Sequence, residues 1–178
     1  FLLEPILEAY TKKTGVEFQT VYAPKGLAAR LKAEGERTEA DLVLTVDISR
    51  IKELADTGLL APLGSDKLNK QVPIHLRDSN DRWTALSLRA RIIAVSKERV
   101  GKEAITTIED LASPKWKGRV CTRKGSHVYN RAVLASLIAH NGKEAAKQWT
   151  LGLIENLARR PQGNDRSQAK AIYTGQCD

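Results

Sequence analysis

The segment that most constrains the fold is residues 40–47, "ADLVLTVD". It is a mainly apolar run of strand length, which is typical of a parallel strand buried on both faces. The stretch that follows, "ISRIKELADTGLLAPL", has the apolar spacing of a helix that Gly58 ends. A buried strand flanked by amphipathic helices predicts an α/β fold built on an open, mostly parallel sheet.

The residues before this strand continue the alternation. Apolar side chains in the first ten residues recur with a helical period, and Gly15 after two lysines is a typical helix end. Residues 16–21 alternate apolar and polar side chains in the manner of a strand. A second helix is predicted from Pro24 or Lys25 to Glu34.

A long extended segment, residues 83–95, begins the second half of the chain. Because it is longer than a usual strand, we expect it to run through a hinge between two lobes. The predicted first lobe spans residues 1–86, and the predicted second lobe spans residues 87–178.

Helices dominate the prediction for the second lobe. A strand is expected to begin at Gly118. One helix is predicted after Tyr129, and another over residues 143–157. A last helix ends at Gly175 and is followed by the first two residues of a strand. Since both ends of the chain fall inside predicted elements, we expect the fold to be incomplete at both ends.

The charge of the chain makes anionic partners worth considering without singling one out. The net charge is +8, from 29 Lys and Arg against 21 Asp and Glu, and these charges are scattered along the sequence. Only 5% of residues are aromatic, too few for the stacking surfaces of single-strand binders, so we predict no nucleic-acid partner. No apolar run is long enough to span a bilayer.

Two arginines at alternate positions of the extended segment form the first candidate site. Arg89 and Arg91 project from the same side of an extended chain. Two guanidiniums side by side usually meet an anion, such as a carboxylate or a phosphate. The alternative is that both arginines pair with Asp or Glu side chains of the protein, and spacing alone favours that alternative.

Tyr129 forms the second candidate site, in "RKGSHVYN". A turn with Gly and Ser leads into a helix there, and its free N–H groups together with Arg123, Lys124 and His127 favour negative charge, including a phenolate. A phenolate oxygen is a hard donor that suits Fe(III). On residue type alone, the simpler interpretation is that Tyr129 packs on its helix and that His127 is solvated rather than a second ligand.

The sequence contains no signature of catalysis. None of the nucleophile, zinc-protease, P-loop or dinucleotide motifs occurs, so we predict that the protein is not an enzyme. The two cysteines, Cys121 and Cys177, are either free thiols or one disulfide, and their spacing does not decide between these states.

Five segments together resemble one protein family. They are "ADLVLTVDISRIKELADTGLLAPL", "WTALSLRARIIAVSKERV", "SPKWKGRVC", "SHVYNRAVLASLIAHNG" and "ENLARRPQGNDRSQAKAIYTGQCD". In this order they are similar to the ferric-iron-binding proteins of bacterial ABC importers, the transferrin-like members of the type II periplasmic binding fold. The resemblance covers essentially the whole chain.

The resemblance implies a two-lobed α/β fold whose cleft holds Fe(III) together with a synergistic anion, expected to be carbonate. It implies that Tyr129 is a metal ligand and that Arg89 contacts the anion, with Arg91 as a weaker candidate for the same role. Further residues are expected to shape the edge of the cleft without binding iron: Asn130, Asn164 and Asp165.

The family pattern is only partly present in this chain. Family members carry a pair of adjacent tyrosines shortly after the strand that begins with "CD", and this chain ends at Asp178. Some members use a Glu where Val46 stands here, with Asp47 as the neighbouring carboxylate. We therefore expect further iron ligands to lie outside this chain.

The family setting extends the expectations to location and partners. An exported protein favours a disulfide between Cys121 and Cys177. We expect a monomer that is periplasmic, or exported and lipid-anchored, and that delivers iron to an ABC permease of the inner membrane. The alternatives are a binding protein for another anionic solute through Arg89 and Arg91, and the effector-sensing domain of a transcription regulator.

Overall fold

The computed structural model describes residues 3–23, 26–101 and 105–178. The chain divides into two compact units, Phe1–Ala85 and Leu86–Asp178, which are named the N-terminal unit and the C-terminal unit. The predicted lobes, residues 1–86 and 87–178, and the hinge role of residues 83–95 stay predictions.

The α-helices described in the N-terminal unit are α1 (Glu4–Thr14), α2 (Leu27–Glu34), α3 (Ile48–Ala55) and α4 (Asp66–Gln71). The predicted first helix is confirmed as α1, with Pro5 in its first turn and Gly15 in the left-handed conformation (φ 76°) that ends it. The helix predicted after the apolar run is confirmed as α3. The predicted start of α2 at Pro24 or Lys25 lies outside the described residues.

The strands predicted in this unit are wrong. Residues 16–21 and 40–47 form no ladder in the described part of the chain, where an isolated antiparallel bridge joins Arg77 to Thr84. The apolar run is exposed to solvent rather than buried, with Leu42 73% exposed. A strand needs a neighbour to satisfy its N–H and C=O groups in a ladder, and residues 40–47 form no ladder with the described residues.

Asp47, at the end of the apolar run, caps α3. Its carboxylate accepts hydrogen bonds from the Ser49 N–H at 3.0 Å and from the Ser49 hydroxyl at 2.8 Å. This is the ordinary role of an aspartate in front of a helix. The carboxylate that neighbours the family's Glu position is therefore engaged in local structure.

The C-terminal unit contains α5 (Lys97–Val100), α6 (Val128–Glu155) and α7 (Asp165–Tyr173), with 3₁₀ turns at Glu109–Ala112 and Pro114–Trp116. The two helices predicted after Tyr129 run together as α6, with a kink at Gly142 (φ 82°, ψ 165°) between them. The predicted last helix is confirmed as α7. None of the helices described in either unit combines the length and the apolarity needed to cross a membrane.

The extended segments of this unit differ from the prediction. The strand expected from Gly118 is reduced, in the described residues, to one parallel bridge between Val120 and Leu157. Residues 86–95 form no ladder in the described structure either. The described residues therefore show the sheet of the predicted α/β fold only as short contacts: the Ser96 N–H donates to the Asp178 carbonyl, and the Asp178 N–H donates to the Arg119 carbonyl, each at 2.8 Å.

A buried amide organises the core of the C-terminal unit. Asn156 is 1% exposed, and its Nδ2 donates to the carbonyls of Leu111 at 2.8 Å and Ser113 at 2.7 Å. Its own carbonyl accepts a hydrogen bond from the Val120 N–H at 2.9 Å. One residue therefore ties the end of α6 to the turn that carries the buried Trp116.

A disulfide joins Cys121 to Cys177, with their Cα atoms 5.8 Å apart. The pairing that the resemblance implied is therefore present. Beside it, the Asp178 carboxylate accepts hydrogen bonds from Arg99 Nε at 2.5 Å and from Arg119 Nε at 2.7 Å. Closing a loop of 56 residues stabilises the folded state by about 4 kcal/mol if the effect is mainly on chain entropy.

Candidate functional site

Tyr129 is half-buried in the first turn of α6, and His127 lies against it. His127 Nδ1 accepts a hydrogen bond from the Tyr129 N–H at 3.2 Å, which caps the helix. The imidazole also lies edge-on to the phenol, with ring centroids 4.6 Å apart. The interpretation of His127 as a solvated side chain is therefore wrong, because the residue is half-buried and holds the start of the helix.

Asn130 fixes the turn in front of α6. Its Nδ2 donates to Thr122 Oγ1 at 3.1 Å and to the Arg123 carbonyl at 2.9 Å. These bonds fasten the backbone of Arg123 to the first turn of the helix. As a result, the Arg123 side chain starts close to the Tyr129 ring.

Three guanidinium groups surround the Tyr129 ring. The Cζ atom of Arg91 lies 4.1 Å from the ring centroid, and those of Arg89 and Arg123 each lie 5.1 Å from it. Each such contact is favourable by about 0.5–1 kcal/mol at a partly exposed site. Like charges also repel one another, so a group of three cations at one ring favours an anion among them.

One carboxylate offsets part of this positive charge. Asp165, the first residue of α7, accepts hydrogen bonds from Arg91 Nη1 at 3.2 Å and from Arg123 Nη1 at 3.0 Å. Desolvation acts to raise the pKa of Asp165, but the hydrogen bonds from Arg123 and Arg91 outweigh it and hold the pKa below its ordinary value. Tyr129, its three arginines and Asp165 are named the tyrosine–arginine cluster, and its net charge is positive.

The tyrosine–arginine cluster has the chemistry of an anion site beside a hard metal ligand. Guanidiniums donate to oxyanions, and the oxygen of a tyrosine is a hard donor suited to trivalent metals. Across the described ranges, no group of three or more His, Cys, Asp or Glu side chains is placed to hold a metal ion. Within the described residues, the tyrosine–arginine cluster therefore places one phenol oxygen beside guanidinium donors.

The structure brings together the three site residues that the sequence predicted, Tyr129, Arg89 and Arg91. Their roles as metal ligand and anion contacts stay predictions. Sequence reasoning missed that Arg123 contacts the ring, although its position in a basic turn before Tyr129 was a signal. It also missed Asp165 as the partner of two arginines, because nothing in the spacing relates the start of α7 to Tyr129.

Comparisons with known proteins agree on one family. Residues 38–174 match the family model described as bacterial extracellular solute-binding protein. Iron uptake protein A1 of Synechocystis sp. is 38% identical over 170 residues, which cover 95% of this chain and 47% of that protein.

Solved structures give the same result. Ferric iron-binding protein A of Mannheimia haemolytica, in an open conformation, superposes with a TM-score of 0.91 at 47% identity, covering 99% of this chain and 56% of that one. A Trichodesmium protein in complex with iron and citrate ligands superposes with a TM-score of 0.91 at 38% identity, with the same coverage.

The chain spans about half the length of the relatives it matches. Over that half, its fold is that of the periplasmic ferric-binding proteins. The family match includes α3, both 3₁₀ turns of the C-terminal unit, α6 and all of α7. The chain belongs to the family of bacterial extracellular solute-binding proteins.

Proposed function

We propose that the protein is the solute-binding subunit of a ferric-iron importer. It would capture Fe(III) in the cleft of a two-lobed type II periplasmic binding fold. The observation that carries this proposal is the Tyr129 phenol enclosed by Arg89, Arg91 and Arg123. The similarity to an iron uptake protein and to ferric iron-binding proteins supports it.

In this proposal Tyr129 supplies a phenolate to Fe(III), and Arg89 and Arg91 hold the synergistic anion. A phenolate and an anion together offset the charge of the trivalent metal, and the arginines offset that of the anion. Carbonate is the expected anion, and the iron and citrate bound by the Trichodesmium relative support an oxyanion of the carboxylate class. The remaining iron ligands would come from elsewhere in the full-length protein.

The location and partner follow from the same family. Members are extracellular solute-binding proteins, so we place the protein in the periplasm, or exported and lipid-anchored, as a monomer. Its partner would be an ABC permease of the inner membrane, which takes up the iron that the solute-binding subunit delivers. The disulfide between Cys121 and Cys177 fits an oxidising compartment.

Titration of the full-length protein with Fe(III) tests the role of Tyr129. Binding should produce a visible phenolate-to-iron charge-transfer band. Tyr129→Phe should reduce this band and weaken the Fe(III) affinity by roughly 100-fold or more, because a ligand to the metal is lost.

Tyr173→Phe is the matched control for this experiment. Tyr173 also belongs to the C-terminal unit, at the end of α7, and is 89% exposed. Its substitution should leave both the band and the affinity at wild-type values. If Tyr129→Phe behaved like Tyr173→Phe, Tyr129 would not be an iron ligand.

A second candidate is a binding protein for another anionic solute, with Tyr129 as a bystander. The three guanidiniums of the tyrosine–arginine cluster favour it, because they suit any oxyanion. The same titration separates the two candidates. Tight anion binding by the iron-free protein, with no charge-transfer band on adding Fe(III), would support the second.

A further inference from the structure

Asp165 has no role in the proposed coordination of iron, yet it connects two arginines of the tyrosine–arginine cluster. Each of its oxygens accepts from a different arginine: Oδ1 lies 3.0 Å from Arg123 Nη1, and Oδ2 lies 3.2 Å from Arg91 Nη1. A carboxylate or carbonate that bridges two guanidiniums uses the same arrangement. Asp165 therefore occupies, from within the chain, donors that a bound oxyanion would use.

The Asp165 carboxylate is able to leave these arginines. Its side chain is 54% exposed, whereas the side chains of Arg123 and Arg91 are 17% and 33% exposed. Exposed ion pairs are individually weak, so an oxyanion with several charges can compete with it. The start of α7 is capped separately by Asn164, whose side-chain oxygen accepts from the Ser167 N–H at 3.0 Å, so the helix does not depend on the Asp165 contacts.

Arg123 also has donor capacity that Asp165 does not use. Its Nε is buried and donates to no group among the described residues, which is costly for a charged group. Asn130 holds the Arg123 backbone in place. An oxyanion that also accepts from Nε would therefore make a hydrogen bond with this guanidinium that Asp165 does not make.

We propose that Asp165 is an internal competitor for the anion that binds with iron. It bridges Arg91 and Arg123 while no anion is bound, and an incoming oxyanion displaces it. The inference depends on the proposed function, because it concerns the anion of the same site. An oxyanion must then bind the two arginines more strongly than Asp165 does. The site therefore selects oxyanions that can accept hydrogen bonds from both arginines at once.

Calorimetric titration of the full-length, iron-free protein with citrate tests this proposal. Asp165→Asn keeps the shape of the side chain but removes the competing charge, so citrate should bind about tenfold more tightly. Asp165→Ser, a second uncharged variant, should give the same direction. Asp165→Glu keeps the carboxylate and should bind citrate within about twofold of wild type.

Asp66→Asn is the matched control. Asp66 also begins a helix, α4, but it lies in the N-terminal unit, so its substitution removes the same charge from the same kind of position. The citrate affinity of this variant should equal that of the wild type. Thermal unfolding of every variant checks that the fold is retained.

Several results would overturn the proposal. They are equal or weaker citrate binding by Asp165→Asn, no citrate binding by any of the proteins, tighter binding by Asp165→Glu that matches Asp165→Asn, and the same tightening by Asp66→Asn. The iron titration distinguishes failure of the Asp165 proposal from failure of the proposed iron binding. A charge-transfer band that depends on Tyr129, with citrate affinity unaffected by Asp165→Asn, would leave the iron function standing and remove only the role of Asp165.

Discussion

The two units of the chain are stabilised by different means. In the C-terminal unit, a disulfide and the buried amide of Asn156 tie together segments that are distant in sequence. In the N-terminal unit, the buried hydrophobic residues that the structure describes are Leu31, Leu54 and Ala55. Arg82 adds a polar tie there, since it pairs with Asp78 at 2.6 Å and donates to the Ala55 carbonyl at 3.0 Å.

The way each unit is stabilised matters for the candidate site, because the site lies in the C-terminal unit. The tyrosine–arginine cluster belongs wholly to the C-terminal unit, whose frame is covalent and hydrogen-bonded. The apolar run of the N-terminal unit faces solvent, with Leu42, Leu44 and Val46 each more than half exposed. A binding site needs rigid support, and the C-terminal unit can give that support without a completed sheet.

Removing the disulfide should lower stability more than the other changes considered, and it should act on the C-terminal unit. The double variant Cys121→Ser with Cys177→Ser should lower the free energy of unfolding by about 4 kcal/mol, because the unfolded chain regains the freedom that the closed loop removes. Hydrogen exchange followed by mass spectrometry should show faster exchange in α6 and α7. Exchange in α1 to α4 should stay as in the wild type, and an equal loss of protection in both units would contradict the contrast.

Asn156→Ala should be the next most damaging change. It removes the side-chain donor to the Leu111 carbonyl and one of two donors to the Ser113 carbonyl, which also accepts from the Trp116 N–H at 3.0 Å. Together with the cavity left by a fully buried side chain, this costs about 3 kcal/mol in the free energy of unfolding. Urea denaturation followed by tryptophan fluorescence measures this loss. Asn80→Ala, at an exposed position of the N-terminal unit, should change stability by less than about 0.5 kcal/mol, and a similar cost for both would show that the amide does not organise the core.

The helices could be predicted from the sequence because their signals are local. Gly15 ends α1 and Asp47 caps α3 within a few residues of the apolar pattern that each helix carries. The strands at residues 16–21 and 40–47 could not, because a strand depends on a neighbour that may be anywhere along the chain. The apolar composition of residues 40–47 predicted burial, whereas Leu42, Leu44 and Val46 are exposed in the described structure.

Residue chemistry singled out the members of the candidate site, but the resemblance supplied the roles proposed for them. A phenol in a basic turn and two arginines on one side of an extended segment stood out, and the structure places Tyr129, Arg89 and Arg91 together. The resemblance named Asp165 as a residue at the edge of the cleft, but its pairing with arginines was not predicted, because an aspartate at the start of a helix is common for local reasons. Its two arginine partners are a property of the packed C-terminal unit and have no counterpart in sequence spacing.

Gly152→Ala tests how tightly α6 packs within the C-terminal unit. A Cβ atom added at Gly152 would lie 2.8 Å from the Ala112 carbonyl oxygen and 3.0 Å from the Ala112 Cβ, so α6 would have to move away from the turn at Glu109–Ala112. We expect a loss of about 2 kcal/mol in the free energy of unfolding. Gly125→Ala, where an added Cβ meets nothing within 4 Å, is the control, and equal stability of the two variants would show that this contact is not tight.

The smallest effect concerns the ion pair of the N-terminal unit. The hydrogen bond from the Arg82 side chain holds the pKa of Asp78 below its ordinary value of 3.8. Because the pKa is lower in the folded state than in the unfolded state, the pair stabilises the fold above pH 3.8, and this contribution is lost as the pH falls through the folded-state pKa. Asp78→Asn should therefore lower the free energy of unfolding by about 1 kcal/mol at pH 7, with a difference from wild type that shrinks on acidification.

Chemical denaturation of both proteins between pH 7 and pH 3 measures that difference. Asp56→Asn is the control in the same unit, because Asp56 pairs with Lys52 through side chains that are 60% and 69% exposed, and such pairs contribute little. A difference between wild type and Asp78→Asn that stays constant with pH would assign the effect to lost hydrogen-bond geometry rather than to charge. Arg82 would then stabilise the N-terminal unit through hydrogen bonds, as Asn156 does in the C-terminal unit, and the contrast between the two units would be smaller.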